Sequence, residues 1–187
     1  MYLSKASFRK KCLDKIKKSN IHNRYYHDKQ VNKKLLQILK KYKNKNILFY
    51  YPLNFESNII KSLQYARKKN SVLLPFMEGT SFKMVPFRLP LEKKKFGIYE
   101  AGNSNKKIKQ IDIAIVPVVG VDGNLQRIGF GKGMYDRFFP TLKTAPFTIF
   151  IQPITCYTKE YLCDDYDITC NLFISSNAML KKKGIKK

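Results

Sequence analysis

Two adjoining stretches decide the fold: Ile111-Asp-Ile-Ala-Ile-Val-Pro-Val-Val119 and Asp122-Gly-Asn-Leu-Gln-Arg-Ile-Gly-Phe-Gly-Lys-Gly-Met-Tyr-Asp-Arg137. The first is an almost continuous apolar run, which is typical of a central strand buried on both faces of a parallel sheet. The second places three alternating glycines before a helical pattern that starts near Met134. Glycine lets backbone N–H groups turn toward a bulky anion, and a helix N-terminus favours negative charge. The order therefore predicts a loop that cradles a phosphate group.

The rest of the chain alternates strand and helix patterns, which predicts an α/β fold. Residues 46–51 and 71–76 are apolar runs on either side of a helical pattern at about 59–69, so they predict a βαβ unit with parallel strands. The other predicted elements are helices at 4–19 and 24–43, strands at 81–88 and 147–151, and a final apolar stretch at 171–175.

Composition indicates one basic globular domain. The 187 residues carry 37 Lys+Arg against 13 Asp+Glu, a formal net charge of +24, with 44% hydrophobic residues. A chain of this size can bury a core without disulfides. The longest apolar stretch, 113–121, is about half the length of a membrane span. We therefore expect a single cytoplasmic domain over residues 1–187 that binds no membrane, with 181–187 as a flexible basic tail.

Cysteine and histidine form no pattern typical of metal or covalent chemistry. Zinc sites space their ligands by about two to four residues, and cytosolic cysteines are usually small buried hydrophobic residues, so no disulfide or metal role is expected. Both histidines lie in the basic N-terminal quarter, which excludes a histidine dyad elsewhere. The residues concerned are Cys12, Cys156, Cys163, Cys170, His22 and His27.

The glycine-rich loop differs from the common nucleotide fingerprints. Its spacing is GxGxG, whereas dinucleotide folds use GxGxxG, and no GK[ST] follows as in Walker A. Arg127 and Lys132 supply positive charge for phosphate oxygens, and Asp136 can hold a magnesium ion against the same phosphates. Taken alone, the loop also fits a tight crossover in which Asp136 only caps the helix.

At this loop the sequence resembles the 5-formyltetrahydrofolate cyclo-ligase family, whose signature is R-x-G-x-G-x-G-Y-Y-D. Residues 127–136 follow that signature, with Met134 in place of its first tyrosine. Other family landmarks follow in order, and the resemblance extends from Lys5 to about Ser175. It implies a single-domain, three-layer α/β/α sandwich with a mainly parallel central sheet. The further matches are Lys5-Ala-Ser-Phe-Arg9, Glu56, Met84, residues 96–101 with Ala101 in place of proline, and Asp167, with Asn171 where many members carry an acid.

The resemblance also implies roles for individual residues. Arg127, Lys132 and Tyr135 are implied to be catalytic, and Asp136 and Asp167 are implied to bind Mg²⁺. The residues implied to bind ATP are Lys5, Arg9, Arg127, Gly129, Phe130, Gly131, Lys132, Gly133, Met134, Tyr135 and Asp136. Those implied to bind the folate are Tyr51, Glu56, Met84, Tyr99 and Tyr135.

The implied activity is the ATP- and magnesium-dependent conversion of 5-formyltetrahydrofolate to 5,10-methenyltetrahydrofolate. The formyl group is an amide whose oxygen leaves poorly, so phosphorylation of that oxygen allows the side-arm amine to close the ring and release phosphate. The substrate is a reduced folate whose polyglutamate tail, where present, is anionic and attracted by a lysine-rich surface. A monomer or weak dimer is expected.

Two other functions remain open from the residues alone: a basic nucleic-acid-binding protein, and another ATP-dependent small-molecule kinase or ligase. The cations are 31 Lys and only six Arg, and Lys lacks the bidentate fork with which Arg reads bases. Most Tyr and Phe residues fall on core-like positions, where their rings cannot stack on bases. No specific nucleic-acid partner is therefore expected.

Overall fold

The apolar runs of the sequence become the strands of one central sheet and two small ribbons. The structure is a computed structural model that describes residues 3–94, 99–104, 108 and 110–182. The strands are β1 (Asn46–Leu48), β2 (Ser71–Glu78), β3 (Ser81–Pro86), β4 (Glu92–Lys93), β5 (Tyr99–Glu100), β6 (Ile113–Pro117), β7 (Gly120–Val121), β8 (Arg127–Ile128), β9 (Phe147–Ile151), β10 (Leu172–Ile174) and β11 (Met179–Lys181). The helices are α1 (Lys5–Leu39), α2 (Ile60–Ala66) and α3 (Met134–Phe138), which a 3₁₀ turn (Phe139–Thr141) continues.

The central sheet has seven strands in the order β11-β10-β9-β6-β1-β2-β3. Its five inner strands run parallel, and β3 and β11 add antiparallel edges. The sequence correctly predicted that β6 is central, since every residue of this middle strand is buried. The predicted βαβ unit is also confirmed, because β1 and β2 pair in parallel on either side of α2. β7 with β8 forms a separate two-stranded ribbon that leads into the glycine-rich loop.

One kinked helix, α1, takes the place of the two predicted N-terminal helices. Asn23 has non-helical dihedral angles (φ −126°, ψ 15°) and bends the helix between the two predicted segments. Ser4 is the N-cap, and its side chain accepts a hydrogen bond from the Ser7 N–H at 3.1 Å, which fixes where the helix begins. The buried residues are Phe8, Cys12 and Ile16 in the first half and Val31, Leu35 and Leu39 in the second.

Helices cover both faces of the sheet, which confirms the expected three-layer α/β/α sandwich. Because successive strand residues point to opposite faces, Ile113 packs with α2 and the second half of α1, whereas Ala114 packs with α3. A third, smaller apolar cluster lies between the first half of α1 and the β7–β8 ribbon. Its buried members are Phe8, Cys12, Val119, Ile128 and Cys156.

The expectation of four unlinked cysteines is wrong for two of them. Cys12 of α1 and Cys156, which follows β9, form a disulfide with a Cα–Cα distance of 5.8 Å. The pair is separated by 144 residues, and local patterns hold no information about such a contact. Cys163 and Cys170 are free thiols.

Two residues of the predicted flexible tail, 181–187, lie at the edge of the sheet. Lys181 ends β11, and the Lys182 N–H donates to the Asn171 carbonyl at 3.0 Å, so both residues belong to the sheet edge. The remaining tail residues, 183–187, and residues 96–98 of the family-like segment lie outside the described residues. No helix in the described part of the chain is both long and apolar enough to cross a membrane.

Candidate functional site

The glycine-rich loop lies between β8 and α3, and its geometry requires glycine at all three positions. Gly131 and Gly133 have positive φ angles of +94° and +61°, which side chains rarely adopt. Gly129 is required for a different reason: a Cβ atom there would collide with the Arg127 guanidinium. Since α3 has only five residues, a phosphate at this loop would depend on backbone N–H groups and nearby cations more than on a helix dipole.

Arg127 is held rigidly beneath this loop. The residue is 5% exposed, and its Nε and Nη2 atoms both donate to the Pro117 carbonyl at 3.3 Å. Its Nη1 atom donates to Asp136 Oδ2 at 3.1 Å. The guanidinium also lies 4.9 Å from the centre of the Tyr135 ring. These contacts bring Arg127, Tyr135 and Asp136 together with Gly129.

Asp136 carries a carboxylate oxygen whose environment fits a cation. Its Oδ2 atom is paired with Arg127, but its Oδ1 atom is buried and has no hydrogen-bond partner among the described residues. A buried polar atom without a partner costs free energy unless a ligand satisfies it. Carboxylate oxygen is also the ligand type that Mg²⁺ prefers. The residues present therefore fit a magnesium ion at Asp136.

The N-terminus of α1 brings two predicted phosphate ligands to the same region. Arg9 Nε donates to the Gly129 carbonyl at 2.8 Å, so Arg9 positions the loop backbone. Lys5 Nζ donates to Asp167 Oδ2 and, at 3.2 Å, to Asp164 Oδ2. Burial lowers the pKa of Lys5, but the bonds to these two carboxylates outweigh burial and raise it, which keeps the ammonium charged.

Asp167, the second predicted magnesium ligand, is held differently from Asp136. It is 7% exposed, and its Oδ2 atom accepts hydrogen bonds from Lys5 and, at 2.8 Å, from the Asp164 N–H. The two carboxylates thus belong to two separate ion pairs, Arg127–Asp136 and Lys5–Asp167. Across the described ranges, no group of three or more His, Cys, Asp or Glu side chains could hold a metal.

Glu56 is a buried carboxyl group in the segment that follows β1. It is 8% exposed, and its Oε2 atom accepts a hydrogen bond from the Leu53 N–H at 2.9 Å. Burial raises the pKa of Glu56 to about 7, against the lowering effects of the Leu53 N–H and of Arg127. Burial and the charge of Glu56 together raise the pKa of Tyr135, so that phenol stays protonated. Glu56 is therefore close enough to act electrostatically on both Arg127 and Tyr135.

The other predicted folate residues occupy two further places. The Tyr51 and Tyr99 rings lie 5.3 Å apart and form one aromatic contact. Met84 lines a cleft of about 660 Å³ beside α3, together with Phe82 and Arg137. The sequence alone could not show that Met84 lies beside α3 or that Tyr51 and Tyr99 contact each other.

Three side chains that support the site were missed or misjudged from the sequence. Asp164 shares Lys5 with Asp167, and the run of acids at 164–167 was its only signal. Arg137 donates to the Thr80 carbonyl and to the Lys132 carbonyl, which ties the loop to the β2–β3 hairpin.

Asp122 is the third of these side chains. Its place just before the glycine-rich loop is typical of a turn residue, but its carboxylate is fully buried and accepts four backbone N–H bonds. Two come from within residues 124–126, as expected for a turn, and two come from Leu162 and Cys163 at 3.2 Å. Asp122 therefore joins the start of the loop to the segment that carries Asp167.

Comparison with known proteins identifies the family. The profile described as the 5-formyltetrahydrofolate cyclo-ligase family matches residues 2–165. The chain belongs to this family. The cyclo-ligase match covers the glycine-rich loop, α1 and Glu56, and ends two residues before Asp167.

Curated cyclo-ligases and solved structures agree with this assignment. The chain is 26% identical over 174 residues to the 5-formyltetrahydrofolate cyclo-ligase of Mycoplasma pneumoniae, covering 92% of this chain and 99% of that protein. It is 27% identical over 120 residues to the Haemophilus influenzae cyclo-ligase, covering 59% of this chain and 64% of that protein. The chain is thus an enzyme of the cyclo-ligase family.

Two solved structures share its fold. The NMR structure of Aquifex aeolicus 5,10-methenyltetrahydrofolate synthetase has a TM-score of 0.78 at 23% identity, covering 98% of this chain and 95% of that one. The 5,10-methenyltetrahydrofolate synthetase from Mycoplasma pneumoniae has a TM-score of 0.69 at 22% identity, covering 94% and 100%. At these identities the structural similarity establishes the cyclo-ligase fold.

Proposed function

We propose that this chain converts 5-formyltetrahydrofolate to 5,10-methenyltetrahydrofolate, with ATP as the phosphoryl donor and Mg²⁺ as the metal. The observation that carries the proposal is the arrangement at the glycine-rich loop of a cyclo-ligase family member. There Arg127 lies beneath Gly129, and Asp136 presents a buried carboxylate oxygen without a partner. A triphosphate and its metal require this combination of a fixed cation, an open glycine backbone and an oxygen ligand.

The chain's own residues account for most of the catalytic work. Backbone N–H groups of residues 129–133, with Arg127 and Lys132, bind the triphosphate, and Lys5 and Arg9 approach from α1. Asp136 would hold the magnesium ion, which neutralises charge on the phosphates when it is bound; Asp167 would join it once released from Lys5. Phe130 and Met134, as members of the loop, contribute their backbone to the nucleotide site.

The reaction needs orientation and charge neutralisation more than acid–base chemistry. The γ-phosphoryl group is transferred to the formyl oxygen and leaves ADP behind. The side-arm amine then attacks the activated carbon, and phosphate departs with the formyl oxygen as the ring closes. Arg127 and Lys132 stabilise charge on the transferred group, and Tyr135 orients the acceptor beside Arg127. Folate is proposed to contact Tyr51, Glu56, Met84, Tyr99 and Tyr135.

The basic surface has a place in this proposal. With a formal charge of +24, the surface attracts an anionic folate, and a polyglutamate tail strengthens that attraction. We further propose a cytoplasmic protein that acts as a single domain and as a monomer or weak dimer.

The decisive experiment measures ATP consumption with and without 5-formyltetrahydrofolate, and with and without magnesium. We expect turnover only when all three components are present, together with formation of the methenyl product. Equal ATP consumption without the folate would contradict the proposal and indicate a different ATP-dependent enzyme. Lys5→Gln should raise the KM for ATP about tenfold, because the substitution removes one charge-assisted contact. Lys10→Gln is the control: it removes an exposed lysine of the same helix and should leave the KM unchanged.

Nucleic-acid binding remains the alternative, and one observation revises the argument against it. Tyr25 and Tyr161 are 82% and 73% exposed, so these rings are accessible for stacking, contrary to the expectation for most tyrosines. A lysine surface acting through counterion release should lose affinity by about 10³-fold between about 50 and 200 mM salt, without sequence preference. Tight binding with a base preference at physiological salt would instead support the alternative.

A further inference from the structure

The disulfide lies at the centre of the apolar cluster that supports the glycine-rich loop. Cys12 is fully buried and Cys156 is 6% exposed, and they pack with Phe8, Val119 and Ile128. Phe130 of the loop packs against the same cluster. Ile128 and Phe130 are the two neighbours of Gly129, so this cluster fixes the backbone on both sides of that glycine.

The same bond holds the part of α1 that carries the candidate phosphate ligands. Arg9 lies about one helical turn before Cys12, and Lys5 about two turns before it. Arg9 donates to the Gly129 carbonyl, and Lys5 pairs with Asp167. A disulfide at Cys12 therefore sets the distance between these cations and the loop.

Packing also places the helix directly against the β7–β8 ribbon. A Cβ atom added at Gly120 would lie 2.9 Å from Phe8 Cε1 and 3.2 Å from Cys12 Sγ. Beyond the disulfide, the first half of α1 is held mainly by two buried side chains, Phe8 and Ile16, and by polar contacts near the surface. One of these is the hydrogen bond from Lys15 Nζ to the Thr155 carbonyl at 3.0 Å. The kink at Asn23 separates this half from the part packed on the sheet. Loss of the disulfide would thus affect the first half selectively.

We propose that Cys12–Cys156 is a thiol–disulfide redox site, and that its reduction by a dithiol loosens the first half of α1 and weakens the binding of nucleoside triphosphate at the loop. The part concerning the nucleotide rests on the proposed function. In the reducing cytoplasm, where we propose that this protein acts, protein disulfides are usually transient and catalytic or redox-sensing. The Cys12–Cys156 disulfide joins α1 to the apolar cluster that supports the glycine-rich loop, and the proposed nucleotide site depends on the distance between α1 and this loop.

The exchange is balanced in electrons and protons. Both cysteines are buried, so exchange requires a local opening of this region. A thiolate of the dithiol then attacks the Sγ atom of Cys156, the less completely buried residue of the pair, and Cys12 leaves as a thiolate that takes up a proton. The second thiol of the reductant then attacks the mixed disulfide and releases Cys156 as a thiol. The reductant ends as a disulfide, and two electrons and two protons have passed to the protein.

The first test counts thiols in the full chain. After incubation with oxidised glutathione, alkylation under denaturing conditions should modify two of the four cysteines, Cys163 and Cys170, and after dithiothreitol it should modify all four. Alkylation of Cys12 and Cys156 in the oxidised sample would overturn the proposal.

The second test compares oxidised and reduced wild-type protein by hydrogen exchange and by calorimetric titration with magnesium-ATP. Reduction should speed hydrogen exchange in residues 5–16 but not in 31–39. It should also weaken magnesium-ATP binding about tenfold, because one charge-assisted contact is lost. Reoxidation should restore both the exchange rate and the affinity. Cys12→Ala should behave as reduced protein under either condition. Cys170→Ala, which changes a buried free cysteine, should respond to reduction as the wild type does.

The outcomes separate the two proposals. Unchanged exchange in residues 5–16 on reduction would overturn the redox proposal, and so would changed exchange with unchanged magnesium-ATP affinity. If neither form binds magnesium-ATP while exchange still responds to reduction, the nucleotide site and the proposed function fail, and the redox-dependent helix remains.

Discussion

Replacing Glu56 by Gln tests how burial affects the titration of this carboxyl group. Burial raises the pKa of Glu56 from its ordinary 4.5 to about 7, so between these values the folded state binds more protons than the unfolded state. The free energy of unfolding must then fall as the pH rises through this range and level off above about pH 7. At about 1.4 kcal/mol per pH unit, the wild type loses up to roughly 3 kcal/mol, an amount that Glu56→Gln does not lose.

Urea unfolding at several pH values between about 4.5 and 8 measures this difference. The free energy of Glu56→Gln minus that of the wild type should increase by up to about 3 kcal/mol across the range, since glutamine can still accept the Leu53 N–H without carrying a charge. Glu160→Gln, which removes one exposed carboxyl, provides the reference for loss of a carboxyl as such. A difference that stays constant with pH, or that shrinks as the pH rises, would refute the reasoning.

Three further substitutions test the loop and its supports. Asp136→Asn should lower ATP-dependent turnover by several orders of magnitude. Because it weakens the partner of buried Arg127, it should also lower the free energy of unfolding in urea by about 2 kcal/mol. Turnover equal to that of the wild type would assign Asp136 a purely structural role. Gly129→Ala should displace the Arg127 guanidinium and weaken magnesium-ATP binding at least about tenfold by calorimetry. In Gly131→Ala the added Cβ atom has open space around it, so the only cost is backbone strain of about 1–2 kcal/mol in the free energy of unfolding. If Gly129→Ala and Gly131→Ala weakened magnesium-ATP binding equally, the role given to the Arg127 side chain would be contradicted. Asp122→Asn should destabilise the fold by about 2–3 kcal/mol in urea, because an amide cannot accept all four N–H bonds, and an unchanged midpoint would show that they contribute little.

The parts of the fold that depend on local pattern could be predicted from the sequence. The apolar run at 111–119 predicted the central strand, and the alternation around α2 predicted a parallel pair. Helical periodicity identified both halves of α1, but the pattern does not show whether a helix ends or bends, and Asn23 bends it.

Contacts between distant segments could not be predicted in the same way. The Cys12–Cys156 bond and the two hydrogen bonds that Asp122 accepts from the Leu162 and Cys163 N–H groups join segments that are far apart in the chain. The spacing of glycines predicted the loop, but the reason for Gly129 is the position of the Arg127 side chain, which only the packed structure provides. Lys5 and Asp167 were expected to have separate ligands, and their mutual ion pair follows from where α1 begins relative to residues 164–167.

The bend in α1 is also a candidate site for cleavage by a protease. Asn23 has non-helical dihedral angles, and the nearby side chains of Ile21 and Tyr25 are 73% and 82% exposed, so a protease can reach this segment. A single cut there would leave the N-terminal piece joined to the rest covalently only through Cys12–Cys156. The nicked protein would then run as one species without reductant and as two pieces with it, and the shorter piece would carry Lys5 and Arg9 with it.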